Sequence, residues 1–166
     1  MAERDQVIDG ERITYEGFFS FAELIKILKE WGGAKGYFFL EKSATENVKP
    51  DGKYVEYKFA GSKKVSDYAK CVLPLRIIGS GIKEKELEKD GRKQLLSEGK
   101  VQIVLDAFLE TDYEGQWESK PLYYMIRTLW DKHIYKPFLS GFREDLKQDA
   151  VQLKQELKAF LNLYKY

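Results

Sequence analysis

A chain of 166 residues and 19.4 kDa, 43% apolar and carrying 24 aromatics (10 Phe, 11 Tyr, 3 Trp), can bury a core of its own, which excludes wholesale disorder. Lys plus Arg (28) and Asp plus Glu (27) nearly cancel to a net charge of +1, so the chain as a whole lacks the field that draws basic proteins to nucleic acid or anionic membranes. One Cys and one His exclude a disulfide framework and a multi-cysteine zinc site, and they remove most histidine-based metal and triad chemistry.

The first thirty residues are charge-rich throughout, and no apolar run approaches the 18 or so residues of a membrane span. The expectation is a cytoplasmic chain without a signal peptide or membrane span. Arg12 to Phe18 alternates Ile13, Tyr15 and Gly17 against Thr14, Glu16 and Phe18, the pattern of a short first strand. Ser20 and Glu23 then form a capping box, with Phe19 and Leu24 as its hydrophobic staple. Phe21, Leu24, Ile25 and Leu28 recur on one helical face, so a helix is expected over Phe21 to Trp31, ended by Gly32-Gly33.

From Tyr37 the period changes to two, and the Pro50-Asp51-Gly52 turn joins Tyr37 to Asn47 with Tyr54 to Ala60 in a β-hairpin. A third strand, Asp67 to Ile78, puts Ala69, Cys71, Leu73, Leu75 and Ile77 in one apolar row; Pro74 within it requires an edge, a bulge or a point where its missing N–H is not needed. A fourth, Val101 to Tyr113, repeats the logic with Val101, Ile103, Leu105, Ala107 and Leu109. Between them, residues 82–99 are strongly charged, and Asp90-Gly91 favours a polar β-arm over a short charged helix, with neither face apolar enough for core.

Helical period returns over about 121–135, where Leu122, Met125, Ile126, Leu129, Trp130, His133 and Ile134 form a stripe, and Lys136-Pro137 breaks or bends it. The last helix, about 142–163, carries Phe142, Leu146, Ala150, Leu153, Leu157, Phe160 and Tyr164 at near-heptad spacing. The expected fold is α+β. It is one domain, residues 1–166, with a mostly antiparallel sheet of four to six strands and one N-terminal and two C-terminal helices on its apolar face. A sheet of long strands closed by a long C-terminal helix is similar, at fold level, to helix-grip (START-like) ligand-binding domains.

No catalytic, cofactor or metal motif is expected. Cys71 sits in an apolar row where desolvation disfavours its thiolate, and His133 has no carboxylate or nucleophile at a diagnostic spacing. The acidic run Asp106, Glu110, Asp112, Glu114 and Glu118 offers carboxylates to a hard cation, but a solvated strand face explains the same residues. Gly32-Gly33-Ala34-Lys35-Gly36 follows a helix and so lacks the geometry of a phosphate cradle.

Three binding readings remain. The first is a protein-interaction module with an unknown protein partner or self-association, for which the 82–99 arm is suited. The second is an apolar small molecule held between the C-terminal helix and the sheet by Phe39, Leu73, Leu75, Leu105, Leu109, Ile126, Leu129 and Trp130. The third is weak single-stranded nucleic-acid binding through Lys58, Lys63, Lys64, Tyr68, Lys70 and Arg76, interleaved with Tyr54, Tyr57 and Phe59, because rings stack bases and cations follow phosphates.

Overall fold

A computed structural model describes residues 3–66, 68–111 and 136–163. The expected helix over 121–135 lies outside the described residues, as do Tyr164 and the acidic residues beyond Thr111. The elements are β1 (Glu3–Phe19), α1 (Phe21–Lys35), β2 (Phe38–Lys49), β3 (Gly52–Lys64), β4 (Ala69–Lys89), β5 (Arg92–Thr111) and α2 (Lys136–Asn162). The fold class is the expected α+β, with a five-stranded antiparallel sheet in the order β1-β5-β4-β3-β2. Four strands follow one another as a meander. The first strand closes against the last, so α1 must carry the chain from one sheet edge to the other.

The two apolar rows of β4 and β5 face one core. Cys71 registers with Leu109, Leu75 with Leu105 and Ile77 with Ile103, and all six are at most 3% exposed. Both described helices cover this face. Helix α2 contributes Leu146, Ala150, Leu153, Leu157, Phe160 and Leu161, all buried, and α1 contributes Leu24, Leu28 and Trp31. Two ion pairs, Arg143–Asp5 and Lys154–Glu11, tie α2 to β1, and the Tyr37 hydroxyl donates to Asp149 Oδ2 at 2.9 Å.

Several element bounds correct the sequence reading. Helix α1 starts as expected, with Ser20 Oγ accepting from Glu23 N–H, but it runs through Gly32-Gly33 to a left-handed cap at Gly36 (φ 85°). Gly32 serves packing instead: a Cβ there would stand 2.6 Å from the Phe39 ring, and one at Gly61 would stand 2.5 Å from the other side of the same ring. Phe39 therefore sits in a slot that only two glycines permit. Helix α2 covers Lys136–Asn162 and so includes Pro137, ahead of the expected start near 142; a break or bend between it and the expected helix over 121–135 lies outside the described residues.

Residues 82–99 are the β-arm, an extension of β4 and β5 closed by Asp90-Gly91 with φ of 55° and 74°, the two positive values of a type I′ turn. Its base is core, contrary to expectation: Ile82 and Leu96 are buried, whereas Leu95 is 66% exposed. Pro74 stands in a central strand, but the β4–β5 ladder passes from Val72–Phe108 to Leu75–Leu105 without a pair at Pro74, so its missing N–H falls in that gap. No helix among the described residues is long and apolar enough to cross a membrane.

Candidate functional site

Side chains alternate across a strand, so the even-numbered residues from Lys70 to Ser80 in β4 and from Lys100 to Glu110 in β5 lie on the face opposite both described helices. We call this the far face. Register lays three rows across it. Arg4, Glu110, Lys70 and Lys64 form one row over β1, β5, β4 and β3, and Arg12, Val104, Arg76 and Lys58 form another. Between them runs an apolar band that includes Gln6, Phe108, Val72, Ser62 and Phe38 in register, together with Pro74 opposite Ala60 and Leu40. The two basic rows are six residues apart along β5, roughly 20 Å at the rise of an extended strand.

Four of the six sequence-predicted cations and rings meet here: Lys58, Lys64, Lys70 and Arg76. Two predicted members do not. Lys63 belongs to the opposite face, registered with Cys71, with its ammonium 5.4 Å from the Tyr37 ring centre. Tyr68 is 4% exposed, because Ser66 Oγ accepts from the N–H groups of both Tyr68 and Ala69 in a turn before β4 that draws the ring inward. It is no stacking platform. Of the interleaved rings, Phe59 is buried and Tyr57 packs against Phe21 with centroids 5.7 Å apart, so only Tyr54 stays with the far face.

Arg4, Arg12, Phe38, Leu40 and Phe108 belong to the surface and escaped the sequence reading. Phe38 is 69% and Leu40 48% exposed. In the run Tyr37-Phe38-Phe39-Leu40 every position is apolar, so alternation cannot say which side is wet. Arg12 did carry a signal, since it shares parity with Thr14 and Glu16 opposite buried Ile13 and Tyr15.

Carboxylates partly offset the cations. Glu110 sits 3.2 Å from Arg4 Nε and 3.9 Å from Lys70 Nζ, and Glu56 sits 3.6 Å from Lys58 Nζ. Glu56 is held below the usual carboxylate range, first by a hydrogen bond from the Tyr54 hydroxyl (2.9 Å) and then by Lys58 and Arg76. Asp106 Oδ1 accepts the Gly10 N–H at 2.7 Å. The Arg4 guanidinium lies 4.9 Å from the Phe108 ring centre, a cation–π contact within the apolar band.

The other candidates are placed as follows. Phe39, Leu73, Leu75, Leu105 and Leu109 pack in the closed core, while Ile126, Leu129, Trp130 and His133 lie outside the described residues. Clefts flank α2, but these are lined by other residues. Cys71 is 2% exposed, and burial pushes its thiol up to about 11, so it is not an ionised nucleophile at neutral pH. Among the described residues, no three His, Cys, Asp or Glu side chains converge as metal ligands. No family model matches this sequence, and neither does any curated protein.

Proposed function

We propose that the protein is a non-enzymatic, cytoplasmic binding module that holds single-stranded nucleic acid on the far face of its sheet. One observation carries the reading: two like-charged pairs, Lys58 with Arg76 and Lys64 with Lys70, stand directly opposite each other in register, one on either side of a band that exposes Phe38. Like charges in that position oppose sheet formation, and a polyanion laid across them relieves the repulsion. An exposed ring between cations supplies the surface on which a base stacks whatever its identity. A lone buried thiol suits a reducing compartment, and the reading needs no cofactor.

The test is fluorescence anisotropy with a labelled oligothymidylate at low ionic strength. Arg4, Arg12, Lys58, Lys64, Lys70 and Arg76 together neutralise up to six phosphates, so log affinity falls against log salt with a slope of about −4, at roughly 0.7 per contact. Phe38→Ala lowers the affinity by about 1–3 kcal/mol, the worth of one stacked base. Flat titration curves remove the reading. Flat curves together with a dimer in light scattering transfer it to self-association through the β4–β5 arm, which is favoured by the exposed Leu95 and the arm's mixed charges.

A further inference from the structure

We propose that a cleft between β1 and α2, on the covered side of the sheet and apart from the far face, binds a small amphipathic anion: an apolar chain bearing one carboxylate or phosphate head. Strand β1 pairs regularly with β5 except at two register shifts, between Gln6 and Ile8 and between Ile8 and Glu11. The irregularity is pinned. Gly10 adopts φ 63°, and its N–H is held by Asp106 from the neighbouring strand. Bulges bend a strand and re-aim its side chains, and they recur beside binding sites. Here they face α2 across a cleft of about 450 Å³, within the range of about 300–1,000 Å³ that small molecules occupy.

The lining sorts by chemistry. Val7 and Ile8 from β1, with Ala150 and Val151 from α2, supply an apolar surface; Val151 is 45% exposed. Lys147, Lys154 and Lys158 also line the cleft, at spacings of seven and four that bring them to one side of the helix. Lys154 is engaged by Glu11 at 2.6 Å, and that contact holds the Glu11 carboxyl below its usual range. Lys158 adds its charge to the hold on Glu11 without forming an ion pair, Lys147 has no ion-pair partner among the described residues, and the two stand eleven residues, about 16 Å, apart along α2; the one other carboxylate in the lining is Asp9. An ammonium group at either end of an apolar surface matches a ligand that is apolar along its length and singly anionic at one end, its head seated at one of the two lysines.

Titration calorimetry on the full chain at low ionic strength tests this with decanoate and decyl phosphate below their micelle concentrations, against decanol and acetate. The expected result is one anion per chain, with decanol and acetate each at least tenfold weaker. The double variant Lys147→Gln/Lys158→Gln should weaken both anions at least tenfold and leave decanol unchanged. Val151→Glu changes an exposed helix position, so it keeps the test valid should the double variant fail to fold, and it should also weaken both anions. Preference for one head over the other assigns the head group. Equal binding of decanol and decanoate, undiminished affinity in a folded variant, or no heat from any probe overturns the proposal.

Discussion

The two faces of one sheet obey the same backbone ladder and carry opposite kinds of information. On the covered face, β4 and β5 present rows that are almost wholly buried and apolar, and their partners in α1 and α2 leave little freedom in side-chain choice. On the far face the same strands place Arg76 opposite Lys58 and Lys70 opposite Lys64, arrangements that packing does not require and electrostatics disfavours. The lesson is that stability is concentrated on one face, which leaves the other able to carry charge at a tolerable cost.

The largest expected effect falls on the covered face. Leu105→Asp puts an uncompensated carboxylate where the side chain is 2% exposed, and unfolding should show in circular dichroism at room temperature. Its neighbour Asp106→Leu loses only the hydrogen bond to Gly10, so the protein should stay folded and lose about 1–3 kcal/mol in urea titration. Equal damage from both would erase the distinction between the faces.

An intermediate effect comes from Cys71. Its folded thiol is raised to about 11 from an ordinary 9.0, so the unfolded chain gives up this proton first as pH rises. The contribution to stability is full below pH 9 and is lost between about 9 and 11, for a total of about 2–3 kcal/mol. Buried Tyr37, also raised by desolvation, acts in the same direction at higher pH. Cys71→Ala should flatten the fall in unfolding free energy between pH 8 and 10.5; an unchanged profile would place the thiol outside the closed core.

The smallest effect sharpens the contrast from the far face. Arg76→Glu replaces a like-charged cross-strand pair by an attractive one opposite Lys58, although Glu56 stands close by. Stability should rise by a few tenths of a kcal/mol while oligonucleotide affinity falls. A variant that loses both stability and binding would mean that Arg76 supports the fold.

The proposed surface was half legible. Alternation already separates Lys63 from Lys64, since neighbours along a strand point to opposite faces, and that parity sends Tyr57 and Phe59 inward with Lys63. Tyr68 eluded the pattern because it precedes β4, in a turn whose hydrogen bonds to Ser66 set its direction. Arg4 and Arg12 lie about a hundred residues from the strand that brings them into the rows, a distance that local reading does not cross.

Local physics alone determined the capped start of α1, the type I′ turn at Asp90-Gly91, the buried rows of β4 and β5, and the apolar stripe of α2. Each depends on spacing within one element or on the φ preference of one residue. Tertiary structure decided the rest. It closed β1 against β5, carried α1 through Gly32-Gly33 because the Phe39 ring fills the space a side chain would need, and let Pro74 stand in a central strand by opening the ladder there. A glycine reads the same in sequence whether its value lies in a positive φ or in the room it leaves, and only the neighbour that fills the room distinguishes the two.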